Sequence, residues 1–250
     1  MKARVGSIID ISTIEWRGNT CSMVFFAGCN FQCPYCSNSS LIPLKSGVEV
    51  DLETVENWIL ASIDFIDAVG VTGGEPSLQP NAVATLFEWA SRSGLKTFLN
   101  TNGTNPELIR DLIRRRILSY VAFDIKAPLE VEAYNRVTGL ADSSYAITQV
   151  RKTLRICIDY KVPFEVRTTV VPGLIDDDRS IQRIAKELDG HGSYYLQQFF
   201  PFEDIPSEEL RLQKPPTRER LIQLAKLALN EGVQEVFIRT RNHGVERVNL

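Results

Sequence analysis

Ser22-Met23-Val24-Phe25-Phe26-Ala27-Gly28-Cys29-Asn30-Phe31-Gln32-Cys33-Pro34-Tyr35-Cys36-Ser37 opens as an apolar strand, Ser22 to Ala27, and runs straight into three cysteines spaced C-x3-C-x2-C. A loop this short can wrap one face of a [4Fe–4S] cube, with each thiolate on its own iron. The fourth iron is then left without a protein ligand, which is the open position that separates a reactive metal site from a closed structural one. The competing reading is structural zinc, which wants four ligands, usually as two close pairs. Cys21 and Cys157 form no second pair, and His191 and His243 lie far downstream. The run is therefore read as a cluster site placed at the C-terminal end of a strand.

Along the rest of the chain the same strand-then-helix alternation recurs, and it calls for a parallel sheet covered by helices. Helical periodicity over Asp51–Ile66, with Asp51 or Thr54 as cap, leads to strand Asp67–Thr72, which opens into Gly73-Gly74-Glu75-Pro76. Helix Pro80–Ser93, stopped by Gly94, leads to strand Lys96–Asn100 and the turn Thr101-Asn102-Gly103. Helix Pro106–Arg116 precedes strand Tyr120–Ile125, which ends in Asp124-Ile125-Lys126. Helix Ser144–Tyr160 precedes strand Phe164–Val170, carrying Arg167, and helix Ser180–Leu188 precedes strand Tyr194–Phe199, carrying Gln197. Helix Thr217–Glu231 and a short strand, Glu235–Arg239, finish the pattern. Six consecutive units predict an α/β fold, a partial (β/α)6 TIM-like barrel with a lateral mouth. Its chemistry belongs on the face where the strand C-termini meet. One domain spans 1–250, with a core at about 20–200, and residues 201–250 extend it to close or rim the barrel.

The chain has 250 residues, 44% of them hydrophobic, enough for one sizeable core. A net charge of −3 argues against a nucleic-acid clamp. The one dense basic run, Arg114-Arg115-Arg116, reads as the solvated end of a helix. No stretch approaches the roughly 18 apolar residues of a membrane span, and Met1-Lys2-Ala3-Arg4 lacks the apolar run of a signal peptide. Five cysteines, three on one loop, fit a reducing compartment, so a cytoplasmic protein is expected, with Cys157 as a buried small hydrophobe.

The cysteine loop with Tyr35 before its last cysteine, followed by Val71-Thr72-Gly73-Gly74-Glu75-Pro76, resembles the radical S-adenosylmethionine (radical SAM) superfamily. Asn100-Thr101-Asn102-Gly103 and Asp124-Ile125-Lys126 resemble the D-T-N-G and D-x-K segments of glycyl-radical-enzyme activating enzymes. Trp16-Arg17-Gly18-Asn19 resembles the lead of the branch serving anaerobic ribonucleotide reductase. The resemblance implies one [4Fe–4S] cluster on Cys29, Cys33 and Cys36, and S-adenosylmethionine held by Gly73, Gly74, Glu75, Asn100, Asn102, Asp124, Lys126, Arg167 and Gln197. Glu75 would meet the methionyl amine and Arg167 the carboxylate, while Tyr35 packs on the adenine, shields the cluster from water, or both. Taken alone, N-x-N-G is an ordinary turn and Lys126 a surface charge. A monovalent cation beside the cofactor is also implied, although Asn100 stands where the family has aspartate, removing one carboxylate. Ser37–Val50 is too short for the auxiliary ferredoxin-like insert of some activases.

The reaction implied is reductive cleavage of S-adenosylmethionine and abstraction of a glycine α-hydrogen from a glycyl radical enzyme, with a flavodoxin or ferredoxin as electron donor. The absence of histidine near the motifs agrees, since no general base is needed. A radical SAM enzyme acting on a small molecule, like 7-carboxy-7-deazaguanine synthase, is the second reading. Phe199-Phe200-Pro201-Phe202 and Arg239-Thr240-Arg241-Asn242-His243 would then cap the mouth, whereas in an activase they would form a docking rim. The third reading is an electron-carrying or iron-sensing cluster protein, in which Gly73-Gly74-Glu75 is incidental.

Overall fold

The computed structural model describes all 250 residues. Its ten strands are β1 (Lys2–Ser12), β2 (Cys21–Phe26), β3 (Val48–Asp51), β4 (Ala68–Gly73), β5 (Lys96–Thr101), β6 (Tyr120–Asp124), β7 (Phe164–Val170), β8 (Ser193–Gln198), β9 (Glu235–Thr240) and β10 (Gly244–Val248). They form one sheet in the order β10-β9-β8-β7-β6-β5-β4-β2-β1-β3. From β2 through β9 the seven central strands pair in parallel, while β1, β3 and β10 pair antiparallel at the edges. The architecture is the partial TIM-like barrel expected, with β9, from beyond residue 201, as its seventh parallel strand.

Eight helices make the crossovers: α1 (Leu52–Leu60), α2 (Pro80–Arg92), α3 (Pro106–Arg114), α4 (Val131–Thr138), α5 (Ser144–Asp159), α6 (Asp178–Leu188), α7 (Glu208–Arg211) and α8 (Arg218–Asn230). Their starts follow elementary capping: Asn105, Asp177 and Thr217 each accept a backbone N–H of the first turn. The first helix is shorter than its periodicity suggested. Ala61 and Ser62 donate back to Trp58 and Ile59, tightening the turn, and a 3₁₀ segment at Ile63–Phe65 takes over.

The main apolar core lies between sheet and helices, as period-two alternation demands of a covered sheet. The barrel interior holds only a small apolar cluster, Cys21, Met23, Ala68, Phe98 and Ala122, at the end away from the cysteine loop. Trp16, from the β1–β2 connection, completes it by stacking on Tyr120 at 4.9 Å between ring centroids. That connection reaches the inner face of the sheet: Arg167 of β7 donates to the Glu15 carbonyl at 2.8 Å, and Arg239 of β9 to the Ile14 carbonyl at 3.0 Å. The lateral mouth of the barrel is therefore crossed on that side by residues 13–17. No helix is long and apolar enough to cross a membrane.

Candidate active site

The cysteine loop leaves β2 at Gly28, whose φ of +92° turns the chain sharply away from the strand. The loop is held from several directions. Gly28 N–H donates to Leu41 O at 2.8 Å, Cys29 N–H to Ile42 O at 3.0 Å, and Gln32 N–H to Thr138 O at 2.8 Å. Glu75 N–H reaches Gly28 O at 2.7 Å, so the two sequence motifs are hydrogen-bonded backbone to backbone. Gly74 is packed so closely there that a Cβ would overlap the Gly28 carbonyl and crowd Leu41 O. Cys29, Cys33 and Cys36 all line one cavity of about 1030 Å³, at the upper end of ordinary ligand pockets. Burial pushes the free thiol of Cys29 up to about 12 and that of Cys33 up to about 11. No three His, Cys, Asp or Glu side chains converge on a point, as a single-ion site requires. Three thiols spread along one loop beside a roomy cavity suit a cube, in which each sulfur takes a different iron.

Every residue expected from the sequence to hold the cofactor lines that same cavity: Tyr35, Gly73, Gly74, Glu75, Asn100, Asn102, Asp124, Lys126, Arg167 and Gln197. The parallel register brings most of them together, because Gly73 to Glu75, Asn100, Asn102, Asp124, Lys126 and Gln197 sit at or just past the C-terminal ends of their strands, while Arg167 enters from the middle of β7 and Tyr35 from the cysteine loop. Several, however, are engaged with the protein itself. The Glu75 carboxylate is 1% exposed and accepts three bonds, from Ser77 N–H at 2.9 Å, Thr101 Oγ1 at 2.6 Å and Asn102 N–H at 2.6 Å. It fastens the β4 and β5 loops together, which leaves little capacity for the amine contact expected of it. Burial raises its pKa, opposed by those bonds. The Asn102 side chain donates to Asn30 Oδ1 at 2.7 Å and accepts from Thr104, tying the β5 loop to the cysteine loop.

Asn100 donates to Thr72 Oγ1 at 3.0 Å, and Asp124 holds Lys126 at 2.7 Å, so no carboxylate near Asn100 lacks a partner. Lys126 is largely buried. Desolvation alone would push its ammonium down, but Asp124, with Tyr35 and Cys33, holds it well above its ordinary value. Tyr35 is buried, its hydroxyl pushed up by desolvation.

Arg167 points inward, 3% exposed, but it does not wait for a ligand. Its Nε pairs with Glu165, its Nη2 takes the Glu15 carbonyl, and Tyr120 donates to the other oxygen of Glu165 at 2.9 Å. Burial of Arg167 therefore does not by itself point to the cofactor carboxylate, since Glu165 supplies the compensating charge. Glu165 and Glu15 went unread in the sequence. The signal for Glu165 was its spacing of two from Arg167, which puts both on the inner face of β7. The same cavity is also lined by Tyr195, Gln197 and Gln198 and by Phe200, Phe202, Arg239 and Arg241 from the two segments expected to cap or rim the mouth, and the chain after Phe202 returns to the cysteine loop, where Ser207 N–H donates to Pro34 O at 3.0 Å.

Comparison with known proteins fits this geometry. The family model described as Radical SAM superfamily matches residues 23–185. A protein of Methanocaldococcus jannaschii, described as a candidate glycyl-radical enzyme activating enzyme, is 35% identical over 97% of this chain and 98% of its own. The pyruvate formate-lyase 1-activating enzyme of Escherichia coli is 26% identical over 94% of this chain and 98% of its own. In three dimensions, a radical SAM methyltransferase from Sphaerobacter thermophilus superposes with a TM-score of 0.73, covering 90% of this chain and 67% of that one at 15% identity, a likeness of fold alone.

Proposed function

The chain belongs to the radical SAM superfamily, and from that premise we propose that it activates a glycyl radical enzyme, anaerobic ribonucleotide reductase, by removing one α-hydrogen from a glycine of that partner. The observation that carries this reading is one roomy cavity lined both by the three cysteines and by Tyr195, Gln198, Phe200, Arg239 and Arg241 of the β8–β9 side. Its volume has room for a nucleoside-bearing cofactor together with a short stretch of extended chain. The M. jannaschii relative, which aligns over nearly the whole chain, supports it.

When bound, the [4Fe–4S] cluster and S-adenosylmethionine supply the hydrogen-abstracting radical; the chain supplies position and exclusion of water. Cys29, Cys33 and Cys36 hold the cluster. Gly73 and Gly74 let backbone approach the cofactor closely, with Glu75 and Asn102 keeping their loops in register. Buried Tyr35 and the Asp124–Lys126 pair wall the cluster side. A flavodoxin or ferredoxin is proposed as electron source, and the reducing cytoplasm as the compartment.

The test mixes the anaerobically reconstituted, reduced protein with the host's anaerobic ribonucleotide reductase. A doublet paramagnetic resonance near the free-electron g value is expected, together with transfer of deuterium from the labelled glycine into 5′-deoxyadenosine. Both should vanish in Cys29→Ala, Cys33→Ala and Cys36→Ala but persist in Cys157→Ala. If no glycyl radical enzyme of the host gives signal or label, and a small metabolite stimulates cofactor cleavage instead, the protein acts on a small molecule.

A further inference from the structure

Five cationic side chains line the cavity: Arg17, Lys126, Arg167, Arg239 and Arg241. Lys126 and Arg167 have carboxylate partners, Asp124 for the first and Glu165 with Glu15 for the second. Arg17, Arg239 and Arg241 have no carboxylate within 4.0 Å, although the chain carries more acidic than basic residues. All three line the cavity from the β1–β2 connection and the C-terminal end of β9. Arg239 lies near the end of β9 and Arg241 opens the turn that follows, and both face the cavity.

Aromatic rings hold these guanidiniums. Arg17 lies over Phe237 at 5.3 Å, Phe237 stacks on Tyr195 at 4.7 Å, and Arg239 lies over the other ring at 6.0 Å. Arg241 lies 3.9 Å over Phe200, and its backbone N–H is fixed by Gln198 Oε1 at 3.0 Å. Stacking occupies the face of a guanidinium and leaves its in-plane N–H donors free. Arg239 donates one Nη to the Ile14 carbonyl, while its buried Nε has no partner at all. A buried charged donor without an acceptor is costly, and the like charge of Arg167, only partly offset by Glu15 and Glu165, adds to it, so an incoming anion would supply the missing acceptor.

We propose that Arg17, Arg239 and Arg241 form a subsite for a carboxylate carried by the substrate polypeptide, anchoring the chain at the rim while its glycine reaches the cofactor. This rests on the activase reading above. A planar carboxylate matches the fork of an arginine edge and can accept from two guanidiniums at once. The aromatic lining suits the apolar flanks of a peptide segment.

The test uses the cluster-loaded protein and short fluorescent Ser/Ala peptides around one central glycine, each carrying a single Asp walked through the sequence, paired with an Asn peptide of the same register. At some register the Asp peptide should bind about tenfold more tightly than its Asn counterpart, as a charge-assisted bidentate contact implies. That preference should fall below about twofold in Arg239→Gln and in the exposed Arg241→Gln, which carries no folding risk. No Asp preference at any register, or the same preference in both variants, overturns the subsite. So does inorganic phosphate binding more tightly than every Asp peptide. The two readings fail separately. Deuterium moving from glycine into 5′-deoxyadenosine without Asp preference removes the subsite and leaves the activase. Asp preference with no label from any peptide or partner enzyme removes the activase and leaves the arginines as an anion site.

Discussion

Glu75→Gln separates a ligand from a structural clamp. In the wild type, Glu75 Oε1 accepts from Ser77 N–H and Thr101 Oγ1, and Oε2 from Asn102 N–H. A glutamine that keeps its oxygen at the Oε1 position presents NH₂ to the Asn102 N–H, donor against donor. Leaving that buried amide unsatisfied costs about 1–3 kcal/mol. The two surviving bonds pass from charge-assisted to neutral, roughly 1 kcal/mol each. Part is returned because a buried charge disappears, and the raised pKa of Glu75 shows that burial disfavours its ionised form. The net loss is about 2–4 kcal/mol, a fall of roughly 5–10 °C in the melting temperature of cofactor-free protein for a chain of this size. Differential scanning fluorimetry in the absence of S-adenosylmethionine reads it directly. The pH dependence has a definite sign. A carboxyl whose folded pKa is raised gains native stability on protonation, so the wild type should widen its lead over Glu75→Gln as pH falls from neutral toward the ordinary glutamate range. A protonated carboxyl retains acceptor capacity on both oxygens, whereas the amide nitrogen has none. An unchanged melting temperature with weakened cofactor binding would refute the clamp and restore Glu75 as a direct ligand of the amine.

Arg167→Gln should destabilise by about 3–5 kcal/mol in urea unfolding, because it leaves Glu165 buried without its cation, and adding Glu165→Gln should recover much of that loss. A single variant of wild-type stability but lower cofactor affinity would return the guanidinium to the cofactor. Gly74→Ala should force the cysteine loop off Gly28 and Leu41, lowering iron content and stability together by at least about 1–3 kcal/mol; full cluster loading at wild-type stability would contradict the close packing there.

The strand ends that carry the site were readable because each apolar run stops abruptly at glycine or a polar residue, and in a parallel barrel that boundary fixes the face. β7 was placed residue for residue, since Phe164, Val166, Thr168 and Val170 alternate with Glu165, Arg167 and Thr169. The antiparallel edges β1, β3 and β10 were not read. Each has one face in water and mixes charges among its apolar residues, as Lys2 to Ser12 does with only Ala3, Val5 and Ser12 buried. Helix α4, eight residues between Pro128 and Gly139, is too short to show a period. The roles of Glu75, Asn102 and Arg167 were legible as polar residues at strand ends but not as to whom they serve. Ser77 and Glu165 lie only two residues from Glu75 and Arg167, but the other partners, Asn102 for Glu75, Asn30 for Asn102 and Glu15 for Arg167, lie far away in the chain, and only the closed fold brings them into range.

Residues 13–17 are made early and put to use late. Their carbonyls receive Arg167 and Arg239, and Arg17 meets Phe237, partners more than 150 residues along the chain. Until β7 and β9 have formed, this connection has nothing to hold on that side. Contacts of such sequence separation carry the largest loop-closure cost of any in the chain. The first and last parallel strands, which no hydrogen-bond ladder joins, are thus latched by a segment from outside the barrel core. The sheet is therefore clasped between chain regions that leave the ribosome far apart in time, and disrupting the clasp would loosen the β7–β9 side of the cavity, whereas the cysteine loop keeps its own backbone bonds to Leu41, Ile42 and Thr138.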